Sequence, residues 1–570
     1  MRKPALSVAR WVGWLAELTT NRDLVIYGGV YEMTSDPSNT NRASYPAGRQ
    51  WRLPLLVSVV FLVCCVWVNG KKPFWADELT CVYLIQDHSF GHVLHALAGG
   101  ADVAPPLYYV SAWSWARVAG VSQLSLRLHS WLWISVAFAL TWTVLRRRYG
   151  YWPASVGCAT AFCLSRLVLY HNSETRFYAF FLGVVAFGVW VFDRVHESNR
   201  LRPGQMALIA VAHASMVYAH VFGVLYSGCI LLAWIMADAW QRRWRPAVYA
   251  SVVIGWLIFL PWLPIFHRQT AVFQHASWIP IPTVTDLLEA FALKINLPLA
   301  LIFISGFALL NQRQRVGRTL RPQTSAQEAL FLLSVIFIVL VPLALWIFSQ
   351  VSRSVFWDRY MIASTLGWAI ILSFLCEELG LGATEDGGSG AGSESGGRFE
   401  RGQFSPWLLL GLILAFPLFH ALLHPRIPRP NAERLPASLA GLPIALQTPH
   451  AFLPRMYYLG TNNNYYYVLD WEASSDPHSK PGASINDQTV DGLRRFYSLS
   501  HVVNSPDFLS QHQRFLYFDQ HVNAWFDLRV RQSGQYKLTL IPRDTPGMFL
   551  VDGDGTDVWL AERIGDAKAN

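Results

Sequence analysis

The chain has 570 residues, 53% of them hydrophobic and only 15% charged, with 25 tryptophans and a mean hydropathy of +0.27. This balance excludes intrinsic disorder, a collagenous fibre and a disulfide framework, and it describes a polytopic membrane protein. The net charge of +9 is dispersed in short arginine clusters between apolar runs, the pattern of topogenic loops and not of a nucleic-acid-binding face.

Residues 1–53 read as a loosely ordered cytoplasmic extension, with an interfacial helix around Trp11 to Leu18. A hydrocarbon core of about 30 Å takes roughly 20 apolar residues in a helix, and about eleven such runs follow. They lie near 54–69, 126–145, 153–171, 176–193, 205–220, 221–237, 247–266, 296–311, 329–349, 360–376 and 406–423. The first is followed by no clear small-residue cleavage site, so it is expected to be a retained anchor. Basic clusters occupy alternate connections: Arg146–Arg148, then Arg194, Arg200 and Arg202, then Arg242, Arg243 and Arg245, then Arg313, Arg315, Arg318 and Arg321. Basic loops stay in the cytoplasm, which places the N-terminus inside and residues 424–570 outside. Lys71 and Lys72, in the loop at 70–125, fall on the wrong side for this rule. Residues 380–402 are rich in Gly, Ser and acids and read as a flexible cytoplasmic linker.

Beyond residue 424 the composition changes to that of a small α/β domain with a mostly buried sheet. Strands are predicted at Pro443–Thr448, Tyr465–Leu469, Arg514–Phe518, Trp525–Arg531 and Tyr536–Ile541, and helices at Asp487–Ser498 and Pro506–His512. Six of the seven cysteines lie in apolar stretches and the seventh, Cys81, in the first loop. An exported C-terminal domain would therefore hold together without disulfides. Its tyrosines suit either a buried core or stacking on sugar faces.

Alternation sorts the polar residues by face, and five groups fall at the outer ends of the spans. They are Asp77 and Glu78, the pair Pro105 and Pro106 with Tyr108, the stretch Tyr170–Ala179, Tyr218–His220, and Phe356–Tyr360. Ionisable groups so close to hydrocarbon are costly and tend to be functional. A carboxylate at Asp77 or Glu78 can take a proton from an incoming hydroxyl or amine, although solvated loop acids at a helix start would look the same. His171, Glu174, Arg176 and Tyr178 share one short connection. A planar, permanently charged guanidinium there suits a phosphate diester, while an internal Glu–Arg pair is the plainer reading. His220 is either a satisfied bundle histidine or a ligand contact, and Arg359 with Tyr360 either an interfacial anchor or a second phosphate clamp. No metal-binding spacing rises above background, and no nucleophile elbow or Walker element occurs. No obligatory metal or other cofactor is expected, although Asp77 and Glu78 could join a divalent-cation site if other loops supplied oxygens.

The order of an apolar anchor, FWADE, PPLYYVSAWSWARVAGVSQLSLRLHS and a span closed by RRRYG resembles the GT-C fold membrane glycosyltransferases. It looks most like the branch containing protein O-mannosyltransferases, lipid A aminoarabinose transferases and lipopolysaccharide-core transferases. That family's LR-x-x-S element is matched by Leu126, Arg127 and Ser130, its E-x-R-x-Y element by Glu174, Arg176 and Tyr178, and its late R-Y pair by Arg359 and Tyr360. Ala104 stands where the family often has His or Lys before the Pro pair. The likeness covers residues 54 to about 376, and the C-terminal domain only in position and general type.

The resemblance implies a plasma-membrane enzyme that transfers a sugar from a polyprenyl-phosphate donor to an extracytoplasmic acceptor such as a glycolipid, polysaccharide or protein. It implies inversion in one displacement, with Asp77 as base and Arg176, Arg359, His220 and Tyr178 stabilising the leaving phosphate. A flippase or transporter of lipid-linked sugars, and a non-catalytic envelope-assembly protein, are the competing readings.

Overall fold

The computed structural model describes residues 51–271, 279–292, 295–310, 323–380, 406–476, 483–519, 524–551 and 556–564. The cytoplasmic extension expected over residues 1–53, apart from its last three residues, and the linker expected over 380–402, apart from Gly380, lie outside these.

Eight helices among the described residues are long and apolar enough to cross a membrane: Arg52–Asn69, Gln123–Tyr149, Phe177–His196, Gly223–Trp240, Pro246–Thr270, Ser325–Val351, Asp358–Glu378 and Pro406–Leu423. The remaining three of the eleven runs form shorter helices. Pro203–Ala219 has 17 residues and Leu297–Leu310 has 14. The run at 153–171 is divided into Tyr151–Cys163 and Arg166–His171, because Ser165 leaves the helix to cap the next one. Its hydroxyl accepts from Val168 N at 3.3 Å, and the freed Leu164 carbonyl accepts from Asn296 N.

Burial shows how the bundle is layered. Almost every residue of Phe177–His196 is buried, so this helix is the centre. Arg52–Asn69 instead exposes Leu55, Leu56, Val59, Val63, Val66 and Trp67 while burying the opposite stripe, as a lipid-facing helix does. Close approach is set by small residues: a Cβ on Gly157 would lie 2.4 Å from the backbone nitrogen of Ser373, so only glycine lets Tyr151–Cys163 pack against Thr365–Glu378. At one end of the bundle, charges are neutralised in pairs. Arg148 bonds Asp193 and Glu197, and Arg245 holds Asp238 through two contacts of 2.9 and 2.7 Å. The other end carries the first loop, folded into three helices, Ala76–Ile85, Phe90–Ala98 and Leu107–Ala119.

The C-terminal domain is a six-stranded sheet ordered β3-β2-β1-β4-β6-β5, with β1 Ile444–Leu446, β2 Tyr465–Leu469, β3 Val502–Asn504, β4 Arg514–Asp519, β5 Tyr536–Ile541 and β6 Asp557–Arg563. The first four in that order are parallel, and β6 and β5 extend the edge antiparallel. Side chains alternate between two covered faces. Ile444, Leu446, Tyr467, Leu469 and Leu516 join the large core, while Ala445, Val468, Phe515 and Tyr517 pack with Phe508, Trp525 and Phe526. Double coverage is why these strands read as continuous apolar runs.

Two corrections follow. Trp525–Arg531 is not a strand but a helical turn, Ala524–Phe526, running into a π-helical one, Asp527–Arg531. Burial of Trp525, Phe526 and Val530 follows a helical face and not a period of two. In addition, β3, β6 and the helix Pro449–Leu459 have no counterpart in the sequence reading.

Candidate active site

Asp77 and Glu78 open the helix Ala76–Ile85, where acids complement the N-terminal end of the helix dipole. A turn of helix sends adjacent side chains about 100° apart, and here that separates two environments. Glu78 is fully buried. Arg127 donates to its two oxygens from Nε and Nη2 at 3.0 and 2.8 Å, Thr175 N donates at 2.8 Å and Trp75 N at 3.3 Å. Arg127 spends its remaining donors on Asn69 Oδ1 and on the carbonyls of Lys72 and Pro73. This ion pair thereby ties the end of the first span, the start of the second and the connection before Arg176.

Asp77 points the other way, and its side chain keeps 27% of its surface open. Its Oδ2 lies 3.5 Å from Arg359 Nη1, whose guanidinium sits over the rings of Tyr178 at 5.5 Å and Tyr360 at 5.8 Å. Behind it, Arg176 Nη1 donates to the backbone carbonyl of Asp77 at 3.2 Å and to Asp102 Oδ2 at 3.2 Å, and approaches Cys81 Sγ at 3.3 Å. Burial pushes the Cys81 thiol up to about 11, so it stays protonated beside this cation.

Glu174 is buried one residue from Thr175. Its Oε2 bonds His171 Nδ1, its Oε1 accepts from the Trp75 indole at 3.0 Å, and its carbonyl accepts from the Ser130 hydroxyl. Burial would raise its pKa, but His171, Lys72 and Arg176 outweigh that and hold it down to about 2, so it is a fixed anion. His220 ends the helix Pro203–Ala219. Its Nδ1 accepts from Phe222 N at 3.1 Å, and its ring lies 4.9 Å from Phe177 and 5.3 Å from Tyr360.

Pro105 and Pro106 start Leu107–Ala119, with Pro106 as N-cap, a position where the missing amide proton costs nothing. Tyr108 is packed edge-on against Phe177 and Phe180, and its buried hydroxyl faces Cys81. The hydroxyl that reaches the charged cluster belongs to the neighbouring Tyr109, which donates to Asp102.

Thus Asp77, Arg176, Tyr178, His220, Arg359 and Tyr360 meet at one end of the bundle, with His171, Glu174 and Glu78 directly behind. Asp102, Tyr109 and Trp75 were missed by sequence reasoning. The signal for Asp102 was an acid inside the small, apolar stretch AGGADVAPP, which has to find a cation when buried. Among the described residues no three His, Cys, Asp or Glu side chains gather where they could hold a metal ion.

A helical membrane bundle whose first loop folds over one end, followed by an α/β domain, is the GT-C architecture that the sequence resembles. The fold matches that of ArnT from Cupriavidus metallidurans bound to undecaprenyl phosphate, with a TM-score of 0.51, 12% identity and coverage of 90% of this chain and 98% of that one. The apo structure of the same protein aligns with a TM-score of 0.40 at 12% identity, over 90% of this chain and 98% of that one. At this identity the likeness defines the fold and no more. No protein-family model matches the chain, and no curated protein matches it in sequence.

Proposed function

We propose that the protein is a membrane glycosyltransferase that moves a sugar from a polyprenyl-phosphate donor to an extracytoplasmic acceptor by a single inverting displacement. The observation that carries this reading is the contrast among the clustered carboxylates. Glu78 and Glu174 are buried and fully engaged, Asp102 is committed to Arg176 and Tyr109, and Asp77 alone combines an open face with a nearby guanidinium. A protein of the same fold has been crystallised with undecaprenyl phosphate, which supports a polyprenyl-phosphate lipid as the partner.

In this reading the acceptor hydroxyl gives its proton to Asp77 as its oxygen bonds the anomeric carbon. The bond from that carbon to the phosphate oxygen breaks, and the lipid phosphate leaves with one more negative charge. Arg359, whose Nη1 lies 3.5 Å from Asp77, would bind the departing phosphate, and Arg176 adds a fixed positive field behind it. Tyr178, Tyr360 and His220 surround Arg359 and limit its motion. Pro105, Pro106 and Tyr108 shape the first-loop wall, and Glu78 and Glu174 are positioning residues. The donor carries its own leaving group, so the scheme calls for no obligatory metal.

The placement of ionisable groups supports an enzyme over a transporter of the same lipid-linked sugar: among the described residues the charged pairs gather at the two ends of the bundle and do not line its middle. The test is to supply membranes with a labelled polyprenyl-phosphate sugar and acceptor lipids and to measure free lipid phosphate. Transfer consumes the donor; translocation of intact donor without release overturns the proposal.

A further inference from the structure

The two lysines that contradict the charge rule, Lys71 and Lys72, have different fates. Lys71 Nζ donates to the carbonyls of Leu422 at 2.7 Å and His424 at 2.9 Å, capping the open end of Pro406–Leu423. Lys72 is 6% exposed, and its ammonium sits 4.6 Å over the Tyr170 ring. Among the described residues no carbonyl or carboxylate accepts a hydrogen bond from it.

This buried cation lines an open crevice between Arg52–Asn69, Arg166–His171 and Pro406–Leu423. The walls also carry Asn172, Ser173, His420 and His424, and no carboxylate. Asn172 Nδ2 is fixed on the Phe61 carbonyl at 2.8 Å, which leaves Oδ1 buried as an acceptor with no partner among the described residues. Val68, Cys64 and Pro417 form the apolar floor, on two helices whose outer faces are lipid-facing.

We infer that this crevice binds the head group of a phosphate-bearing lipid, with Lys72 on an anionic phosphate oxygen and Asn172 Oδ1 accepting from a hydroxyl of the same head group. A buried ammonium and a neighbouring amide oxygen that lack hydrogen-bond partners among the described residues suit a ligand that is both anionic and a donor, and the apolar floor suits one with a chain. Two lipid classes have that chemistry: a glycerophosphoglycerol, through its glycerol hydroxyl, and a polyprenyl monophosphate, through its P–OH. The lining of the crevice includes none of Asp77, Arg176, Tyr178, His220 or Arg359, which sets it apart from the proposed donor pocket. The two share the loop from Tyr170 to Arg176.

The test is native mass spectrometry of the full chain, titrated separately with phosphatidylglycerol, undecaprenyl phosphate and phosphatidylcholine. Wild type is expected to retain phosphatidylglycerol or undecaprenyl phosphate at least about tenfold better than phosphatidylcholine, and Lys72→Gln to lose about tenfold in that affinity. Lys72→Arg is expected to restore it, and matched thermal unfolding of the variants shows that the fold is intact. Preference for the first or the second lipid identifies the source; either supports the site. Equal retention of all three lipids by wild type, or affinities unchanged in Lys72→Gln, overturns it.

Discussion

Replacing Asp77 with Asn should separate chemistry from stability. The substitution is isosteric, and Arg176 holds position 77 through the backbone carbonyl, so that contact is untouched. What is lost is the charge of a partly open pair with Arg359 at 3.5 Å, with side-chain exposures of 27% and 17%. Exposed and half-exposed pairs of this kind contribute about 0.2–1 kcal/mol, so unfolding should shift by no more than about 1 kcal/mol. An amide cannot accept the acceptor's proton, and loss of a general base costs about 10² to 10⁴ in rate, or roughly 3–5 kcal/mol of barrier. The assay is release of lipid phosphate from a labelled polyprenyl-phosphate sugar, run beside thermal unfolding in detergent. A folded Asp77→Asn variant that turns over near the wild-type rate would refute the assignment of the base.

Glu78→Gln should behave in the opposite way. It strands the fully buried Arg127 and is expected to cost about 3–5 kcal/mol in unfolding, with the pair Glu78→Leu and Arg127→Met recovering most of it; equal stability of Glu78→Gln and wild type would contradict the buried pairing. In the C-terminal domain, burial pushes Asp487 up to about 7, against hydrogen bonds from Tyr467 and Ser474 that favour its charged form. A folded-state pKa above the unfolded value of about 3.8 means that the native domain holds its proton longer, so this site's stabilisation is complete below about pH 4 and lost as pH rises to about 7. The loss is about 4 kcal/mol, and Asp487→Asn should abolish it; limited proteolysis of the full chain between pH 5 and 8 measures this, and an unaltered pH dependence in the variant would count against it. Incubation with a chelator should leave transfer unchanged within about twofold, since a Lewis acid contributing to the barrier would be worth several kcal/mol.

What the sequence made legible was what alternation alone determines. Basic clusters assign each connection to a face, and Asp77, Arg176, His220 and Arg359 could be grouped before any contact between them was known. Alternation fixes a face and not a direction, so it cannot distinguish Asp77 from Glu78. Their difference comes from Arg127, which is 49 residues from Glu78, and from the backbone of Thr175, 97 residues away. Nor can it find Asp102, whose role depends on Arg176 74 residues on. Run length misjudged the span at 153–171, because a single serine in an apolar context can pass for a helical residue in hydropathy yet act as a cap. In the C-terminal domain, apolar runs of five to seven residues fit a strand and a helical turn equally well, and Trp525–Arg531 was settled only by which face its neighbours cover. The same limit applies to the lysines. A rule about net charge in loops registers Lys71 and Lys72 as an inconsistency, and only the geometry divides them into a helix cap and a buried cation over an aromatic ring. Where a pattern rule fails locally inside a chain that otherwise obeys it, the exception marks residues held by specific contacts, and those contacts are where function is to be sought.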